Sequence, residues 1–178
     1  MHLIRKFREN IALRKITALA AKRPAQHRPL SIENADKIGI IYVCDNKYGE
    51  CVPALLRQAP LKGKDVRVLK YRAVKPSGKT PQDQDTFSIR DTNWWYKPTA
   101  ANAELFLAEQ YDILIDLSSQ DYLPLLYVMA LAQSGLNVCR YSDRKKEVAD
   151  LMIRLEGDED AAILLNHIRH YLNQLNPS

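Results

Sequence analysis

The chain has 178 residues, enough for one domain or one domain with an appendage, and its 46% hydrophobic and 26% charged content is that of a globular chain and excludes a disordered one. Eight of its 26 basic residues, beside the single acid Glu9, fall in the first 28 positions; that segment carries +7 of an overall +5, so residues 29–178 carry −2. The longest apolar run, residues 123–132, is far short of the roughly 20 residues a transmembrane helix needs.

The basic surplus therefore belongs to an N-terminal arm, residues 1–28, and the body is an α/β domain over residues 29–178. Arg5, Lys6, Arg8, Arg14 and Lys15 interrupt every candidate apolar h-region, so no secretory signal is expected. The arm lacks the serines of a mitochondrial transit peptide. Cys44, Cys51 and Cys139 have no CxxC spacing, which points to reduced, structural thiols in a cytoplasm.

From Leu3 to about Lys22 the arm has neither Gly nor Pro and favours helix. Ile4, Phe7 and Ile11, joined by Leu3 and Ala18, make one apolar stripe; Ala12, Ile16 and Leu19 make another on a different face. A surface-seeking helix keeps one apolar face, so two faces predict that part of this helix packs against protein. Residues 23–29, with two prolines, form a linker.

Residues 37–43 (KIGIIYV) have the near-continuous apolar character of a strand buried on both faces of a parallel sheet. A helix is expected over 46–58, with Pro53 a local disturbance, then a strand over 63–71, a surface loop over 75–85 and a short strand near 87–89. An aromatic cluster, Trp94, Trp95 and Tyr96, precedes a helix that Thr99 can cap and that runs to about Gln110. Residues 112–117 (DILIDL) form a third buried strand. Asp121 caps a helix that Gly135 ends, and strands follow at 136–141 and 151–155. Gly157 precedes a final helix whose Ala161, Leu164, Leu165, Ile168, Tyr171, Leu172 and Leu175 keep 3/4 spacing, with Asp158, Glu159 and Asp160 at the positive end of its dipole and Pro177 past its end. Strands alternating with helices give a three-layer, Rossmann-like α/β fold with a mostly parallel sheet behind a basic N-terminal helix.

Ligands in such folds sit at the carboxyl ends of the strands, which directs attention to residues 44–50, 116–122 and 141–144. In the first, Asp45, Asn46, Gly49 and Glu50 surround a helix start that can hold an anion, or simply cap a turn. A dinucleotide fingerprint needs GxGxxG, and this segment has one glycine. In the second, Asp116, Ser118, Ser119 and Asp121 can bind a ribose, sugar or amine, or spend themselves on turn amides and a helix cap. Trp94, Trp95 and Tyr96 can stack on a base or sugar, anchor an interface, or lock their own loop. His167 and His170 share a helix face, but no carboxylate partner stands at a matching spacing, so no metal site is expected.

Arg5, Lys6, Arg8, Arg14 and Lys15, with Lys22, Arg23 and Arg28, can meet RNA phosphates, anionic headgroups or an acidic protein surface; equally, the arm packs on its own domain or mediates a homodimer. Nothing in the sequence specifies a cofactor or a reaction.

The order Thr92-Asn93-Trp94-Trp95-Tyr96-Lys97-Pro98, then residues 111–117, the Leu-rich 122–131, 150–153 and His170-Tyr171-Leu172 resembles an uncharacterised family of small bacterial proteins from Bacteroidota, filed as a domain of unknown function. The resemblance covers nearly the full chain and implies no activity. Gly49-Glu50, Pro53-Ala54-Leu55 and the YDILIDL segment at 111–117 are similar to the N-terminal half of lipopolysaccharide heptosyltransferases. There an Asp stands where this chain has Glu50, the spacing to the proline is longer, and a second nucleotide-sugar domain follows. That likeness implies the same fold class and, for a ligand, a sugar nucleotide.

The leading expectation is a cytoplasmic, non-enzymatic binding or assembly module that docks through its arm. The alternatives are a small enzyme or binding protein for a phosphorylated or sugar-nucleotide ligand at the strand carboxyl ends, and a backbone-led RNA binder.

Overall fold

In a computed structural model the structure describes residues 2–24, 31–58, 61–74, 83–156 and 160–175. Arg28, most of the linker and of the 75–85 loop, Gly157, Asp158, Glu159 and Pro177 lie outside them.

Among the described residues six strands form one parallel sheet in the order β3-β2-β1-β4-β5-β6. They are β1 (Lys37–Val43), β2 (Asp65–Arg72), β3 (Thr86–Ser88), β4 (Gln110–Asp116), β5 (Gln133–Arg140) and β6 (Leu151–Ile153). The order reverses direction between β1 and β4, which lie side by side with Ile41 opposite Asp116. The helices are α1 (His2–Ala20), α2 (Lys47–Glu50), α3 (Val52–Leu55), α4 (Ala101–Ala108), α5 (Leu123–Leu131) and α6 (Ala161–Leu175). Alternate strand residues divide two cores. Ile41, Val43, Leu69 and Leu114 meet α1, α4 and α5 on one side. Ile38, Ile40, Tyr42, Ile113 and Ile115 meet α3 and α6 on the other. The three-layer reading is thereby established, and the buried apolar runs at 37–43 and 112–117 explain it: each strand feeds both cores.

Residues 123–130 of α5 are all buried. A helix apolar all round needs cover all round; the sheet supplies one side and α1 the other, through Ala12 and Ile16. Arg23 ties the far end of α1 down, donating to the Val148 carbonyl at 3.0 Å and to Asp150 Oδ2 at 3.0 Å. Asp150 also accepts from the Asn137 amide at 2.7 Å.

Several expected boundaries shift, each for a physical reason. The helix over 46–58 is two short pieces broken at Cys51, because Pro53 has no N–H to continue the ladder and sits in the first turn of α3. Thr99 does not cap α4; its hydroxyl turns back to the Asp91 carbonyl at 3.2 Å, and Ala100 precedes the helix without a side-chain cap. Asp121 does not cap α5, which Tyr122 and an early Pro124 begin. Gly135 does not end it either: it lies inside β5, where pairing with β4 from Gln110 opposite Gln133 extends the strand back to the helix end. At the start of α6, Asp160 accepts from the amides of Ala162 and Ile163 at 2.9 and 3.0 Å, an ordinary N-terminal role.

Candidate functional site

At the carboxyl edge of the sheet most of the expected ligand groups hold the protein together. Asp45 accepts from the amides of Ala73 (3.0 Å) and Val74, closing the turn after β2. Asn46 caps α2, its Oδ1 accepting from the Gly49 amide at 2.7 Å. Gly49 is where the chain folds back on β1: a Cβ there would lie 1.7 Å from the Val43 carbonyl oxygen. Close packing, rather than a phosphate, requires this glycine. Glu50 is exposed and Ser119 half-buried.

The structure does bring Asp116, Ser118 and Asp121 together, around a residue the sequence reading missed, Lys145. Ser142 caps the 3-10 turn Asp143–Lys145 after β5, accepting from the Arg144 amide at 3.3 Å. The turn drives Lys145 inward to 2% exposure. Its Nζ lies 2.9 Å from Asp116 Oδ2, an ion pair rather than an aligned hydrogen bond, and 3.8 Å from Asp121 Oδ1. Asp116 Oδ1 accepts from the Ser118 amide at 2.9 Å, and Asp121 Oδ2 accepts from the Ser142 hydroxyl. Burial is the largest influence on Lys145 and works against its charge, but Asp116, Cys139 and Asp121 together outweigh it and the ammonium pKa is raised above its ordinary 10.5. The lysine is thus a fixed cation between two acids, unsuited to nucleophilic or general-base work, which needs a lowered lysine pKa. The buried hydroxyls of Ser118 and Tyr48 have no hydrogen-bond partner among the described residues. Three consecutive cations, Arg144, Lys145 and Lys146, follow β5; the only signal for the central one was that the flanking pair would then point outward, as they do.

Cys139 is fully buried and burial pushes its thiol up to about 12; Cys44 and Cys51 are half-buried, and all three are free thiols. His167 and His170 are exposed on α6, the first stacked on Tyr171 and the second meeting its ring edge-on. Among the described residues no group of three or more His, Cys, Asp and Glu is placed to hold a metal ion.

The second surface is built on α1. Its inner stripe, Ala12 and Ile16 (0 and 2% exposed) with half-buried Leu19, is the one that packs. Its other stripe is left outside over the first two turns, where Leu3 is 82% exposed, Ile4 59% and Phe7 62%, while Ile11 further along is half-buried. The helix is fixed to an aromatic turn. The Arg8 guanidinium donates from Nε and Nη2 to the Trp94 carbonyl at 3.0 and 2.8 Å and stacks 4.0 Å from the Trp94 ring and 4.7 Å from that of Tyr96. Asn93 builds the turn: its Oδ1 accepts from the amides of Trp95 (2.9 Å) and Lys97 (3.1 Å). Within it Tyr96 adopts φ 66, a left-handed conformation that costs roughly 1–2 kcal/mol without glycine and that these bonds enforce. Trp94 remains 59% exposed beside the first turns of α1.

Of the arm's cations, Arg5 pairs with Glu9 at 2.8 Å, Arg8 holds the turn, and Arg23 pairs with Asp150. Lys15 lies 5.8 Å from the Trp95 ring. Lys6, Arg14 and Lys22 are exposed and form no ion pair with the described residues.

A parallel sheet of this strand order, with Asp45, Asp116 and Asp121 at its carboxyl edge locked internally and a basic helix docked on one layer, defines a Rossmann-like α/β protein carrying an added surface helix. The chain belongs to the family of unknown function DUF6913, whose pattern matches residues 8–175. No curated protein and no solved structure matches it.

Proposed function

We propose that the protein is a non-enzymatic binding module that docks through the outer face of α1 on an anionic surface, and that this surface is a lipid bilayer. The observation that supports it is the division of labour on α1: one apolar stripe holds the helix to α5 while Leu3, Ile4 and Phe7 stay in water. Exposed apolar side chains confined to one end of a helix, with Trp94 beside them, are the composition of an interfacial anchor. Lys6 and Arg14 stand close by, and each basic residue near an anionic leaflet contributes about 1 kcal/mol. The body at −2 behind an arm at +7 turns the arm toward negative charge. An RNA backbone offers nothing to Leu3, Ile4 and Phe7, which weighs against that alternative. No helix among the described residues can cross a membrane, so attachment is peripheral. On this reading the protein works in the cytoplasm, at the inner face of the membrane.

Vesicle co-sedimentation tests it. Binding is expected to phosphatidylcholine vesicles carrying phosphatidylglycerol, to weaken with salt, and to disappear in the Leu3→Glu/Phe7→Glu double variant. Equal binding to pure phosphatidylcholine, or none to either, defeats the proposal. Dimers by analytical ultracentrifugation that the double variant dissolves would instead make the stripe a contact between two copies.

A further inference from the structure

Beyond membrane docking, we infer that the first half of β2 is a self-association edge, and that its occupant is β2 of a second copy of this chain, paired antiparallel about a two-fold axis at Val66. Backbone groups alternate sides along a strand. The Asp65 amide donates to the Asp36 carbonyl at 3.3 Å and the Tyr71 carbonyl accepts from the Cys44 amide at 3.0 Å, so the odd-numbered residues of β2 face β1. The even-numbered ones face outward: the Lys70 amide donates to the Asp85 carbonyl at 2.7 Å, where β3 begins. β3 is only three residues long and starts with Thr86 opposite Lys70. Before that point its chain turns away. The Thr86 amide donates to the Asp83 carbonyl at 2.9 Å, and Asn102 Nδ2 donates to the Gln84 and Thr86 carbonyls at 3.1 and 2.9 Å. The N–H and C=O groups of Val66 and Val68 are left pointing outward, with no hydrogen-bond partner among the described residues. The opposite flank of the sheet shows the contrast. There β6 is equally short, but Asp150 seals β5 at Asn137, accepting from its amide at 2.7 Å and donating to its carbonyl at 2.9 Å. An unsealed edge is a template for another strand.

Charge selects the occupant and the register. In a pairing centred on Val66, each Val66 donates to and accepts from the other, and Asp65 falls opposite Arg67 of the partner subunit on both sides of the axis. These are non-hydrogen-bonded positions, where facing side chains lie closest and opposite charges stabilise. Asp65 and Arg67 are both exposed and lie 3.4 Å apart along their own strand, so the four side chains alternate in sign around the axis. Sliding the axis to Arg67 would set two arginines face to face, which is unfavourable. The lengths also match. β2 begins at Asp65, after the turn at Gly63 with its φ of 86, so the partner strand ends opposite Arg67 and clears Asp85. Beside the edge lies a notch of about 430 Å³ walled in part by Val66, Val68, Leu105, Phe106 and Tyr111. Leu105 of α4 stands in it 71% exposed. α4 packs on the side of the sheet that Leu69, and hence Asp65 and Arg67, also face. A two-fold axis perpendicular to the sheet keeps both α4 helices on that side and brings the second toward the exposed leucine of the first.

The test is sedimentation equilibrium of the full-length protein, without lipid, from about 10 µM to about 1 mM. A reversible monomer–dimer equilibrium is expected. Val66→Pro removes an outward N–H and leaves the β1 ladder whole, as proline on an edge strand does; it should raise the dimer Kd at least roughly tenfold. Arg67→Asp sets like charges opposite each other across the axis and should weaken the dimer by roughly tenfold as well, while its melt in dilute solution stays with the parent's. Adding Asp65→Arg to Arg67→Asp restores the opposite pairs and should recover the dimer; Lys37, which meets Asp65 at 3.7 Å, keeps its nearer partner Glu109 in that variant. Protein that stays monomeric at about 1 mM, dimers indifferent to Arg67→Asp, or dimers that the charge swap does not restore would each overturn the inference. Dimers that Leu3→Glu/Phe7→Glu dissolves and Arg67→Asp does not would overturn it in favour of a contact through α1. Arg67→Asp protein should bind anionic vesicles as the parent does, which separates this edge from the membrane face.

Discussion

Lys145 Nζ sits 2.9 Å from Asp116 Oδ2 with the two side chains 2% and 0% exposed, joining the end of β4 to the turn after β5. Such a pair is costly to break and of little net worth against apolar packing. Lys145→Met leaves Asp116 charged and buried, and Asp116→Asn leaves Lys145 short of its nearest partner. Each single change is expected to lower unfolding free energy by about 3–5 kcal/mol in urea melts. Lys145→Met/Asp116→Leu should recover most of that loss. Single variants within 1 kcal/mol of the parent would mean that the pair is solvated.

Stability should fall on the alkaline side. Burial pushes Tyr42, Tyr48 and Tyr71 from 10.0 up to about 12, and Cys139 from 9.0 up to about 12. The unfolded chain loses these protons first, so the native state binds more protons over that interval and stability drops as pH rises. The raised Lys145 pKa acts in the same direction: its contribution is complete below 10.5 and is lost as pH climbs through the folded value. Urea midpoints should hold steady below pH 9 and then decline, with Cys139→Ala delaying the onset toward pH 10. Midpoints that stay level through this range would refute it.

Gly49→Ala is expected to be among the most damaging small substitutions. The new methyl would meet the Val43 carbonyl oxygen at 1.7 Å, and that neighbour is backbone at the end of the central strand β1, held on both sides by the sheet. Overpacking commonly costs 1–3 kcal/mol, and an immovable partner puts this case at about 3 kcal/mol or above. Gly63 makes the contrast: an added Cβ meets nothing within 4 Å there, and its φ of 86 makes the cost of alanine one of backbone strain alone. Thermal melts of both variants order the two; a Gly49→Ala protein that melts with the parent would remove the packing account.

The sheet was legible because its strands announce themselves. Residues 37–43 and 112–117 are too apolar to face water on either side; the observed β1 spans the predicted residues, and β4 begins two residues earlier, at Gln110, and ends at Asp116. The helix ends were not. Asp121 and Gly135 have the right chemistry for caps, yet one is used by Ser142 and Lys145 and the other by a strand ladder. Such tertiary demands leave no local trace. The carboxyl edge failed the same way: Asp116 was visible as an acid at a strand end, but its partner lies 29 residues on, in a run of three cations that composition cannot rank. The two stripes of α1 were visible from the start. Which of them faced the body depended on α5, whose all-apolar surface needed a cover.

The two stripes of α1 should separate stability from binding. Ile16 is 2% exposed in the core shared with α5, so Ile16→Ala removes buried methylenes and should cost about 2–5 kcal/mol. Phe7 and Leu3 are 62% and 82% exposed, and Phe7→Ala and Leu3→Ala should stay within about 0.5 kcal/mol of the parent. The same two substitutions should each reduce binding to anionic vesicles, since the apolar area they remove is the area a bilayer would cover. Paired urea melts and sedimentation assays on these variants give the answer directly. A Phe7→Ala protein that is clearly destabilised would show that the outer stripe serves the fold, whereas one that keeps both full stability and full binding would show that it serves neither.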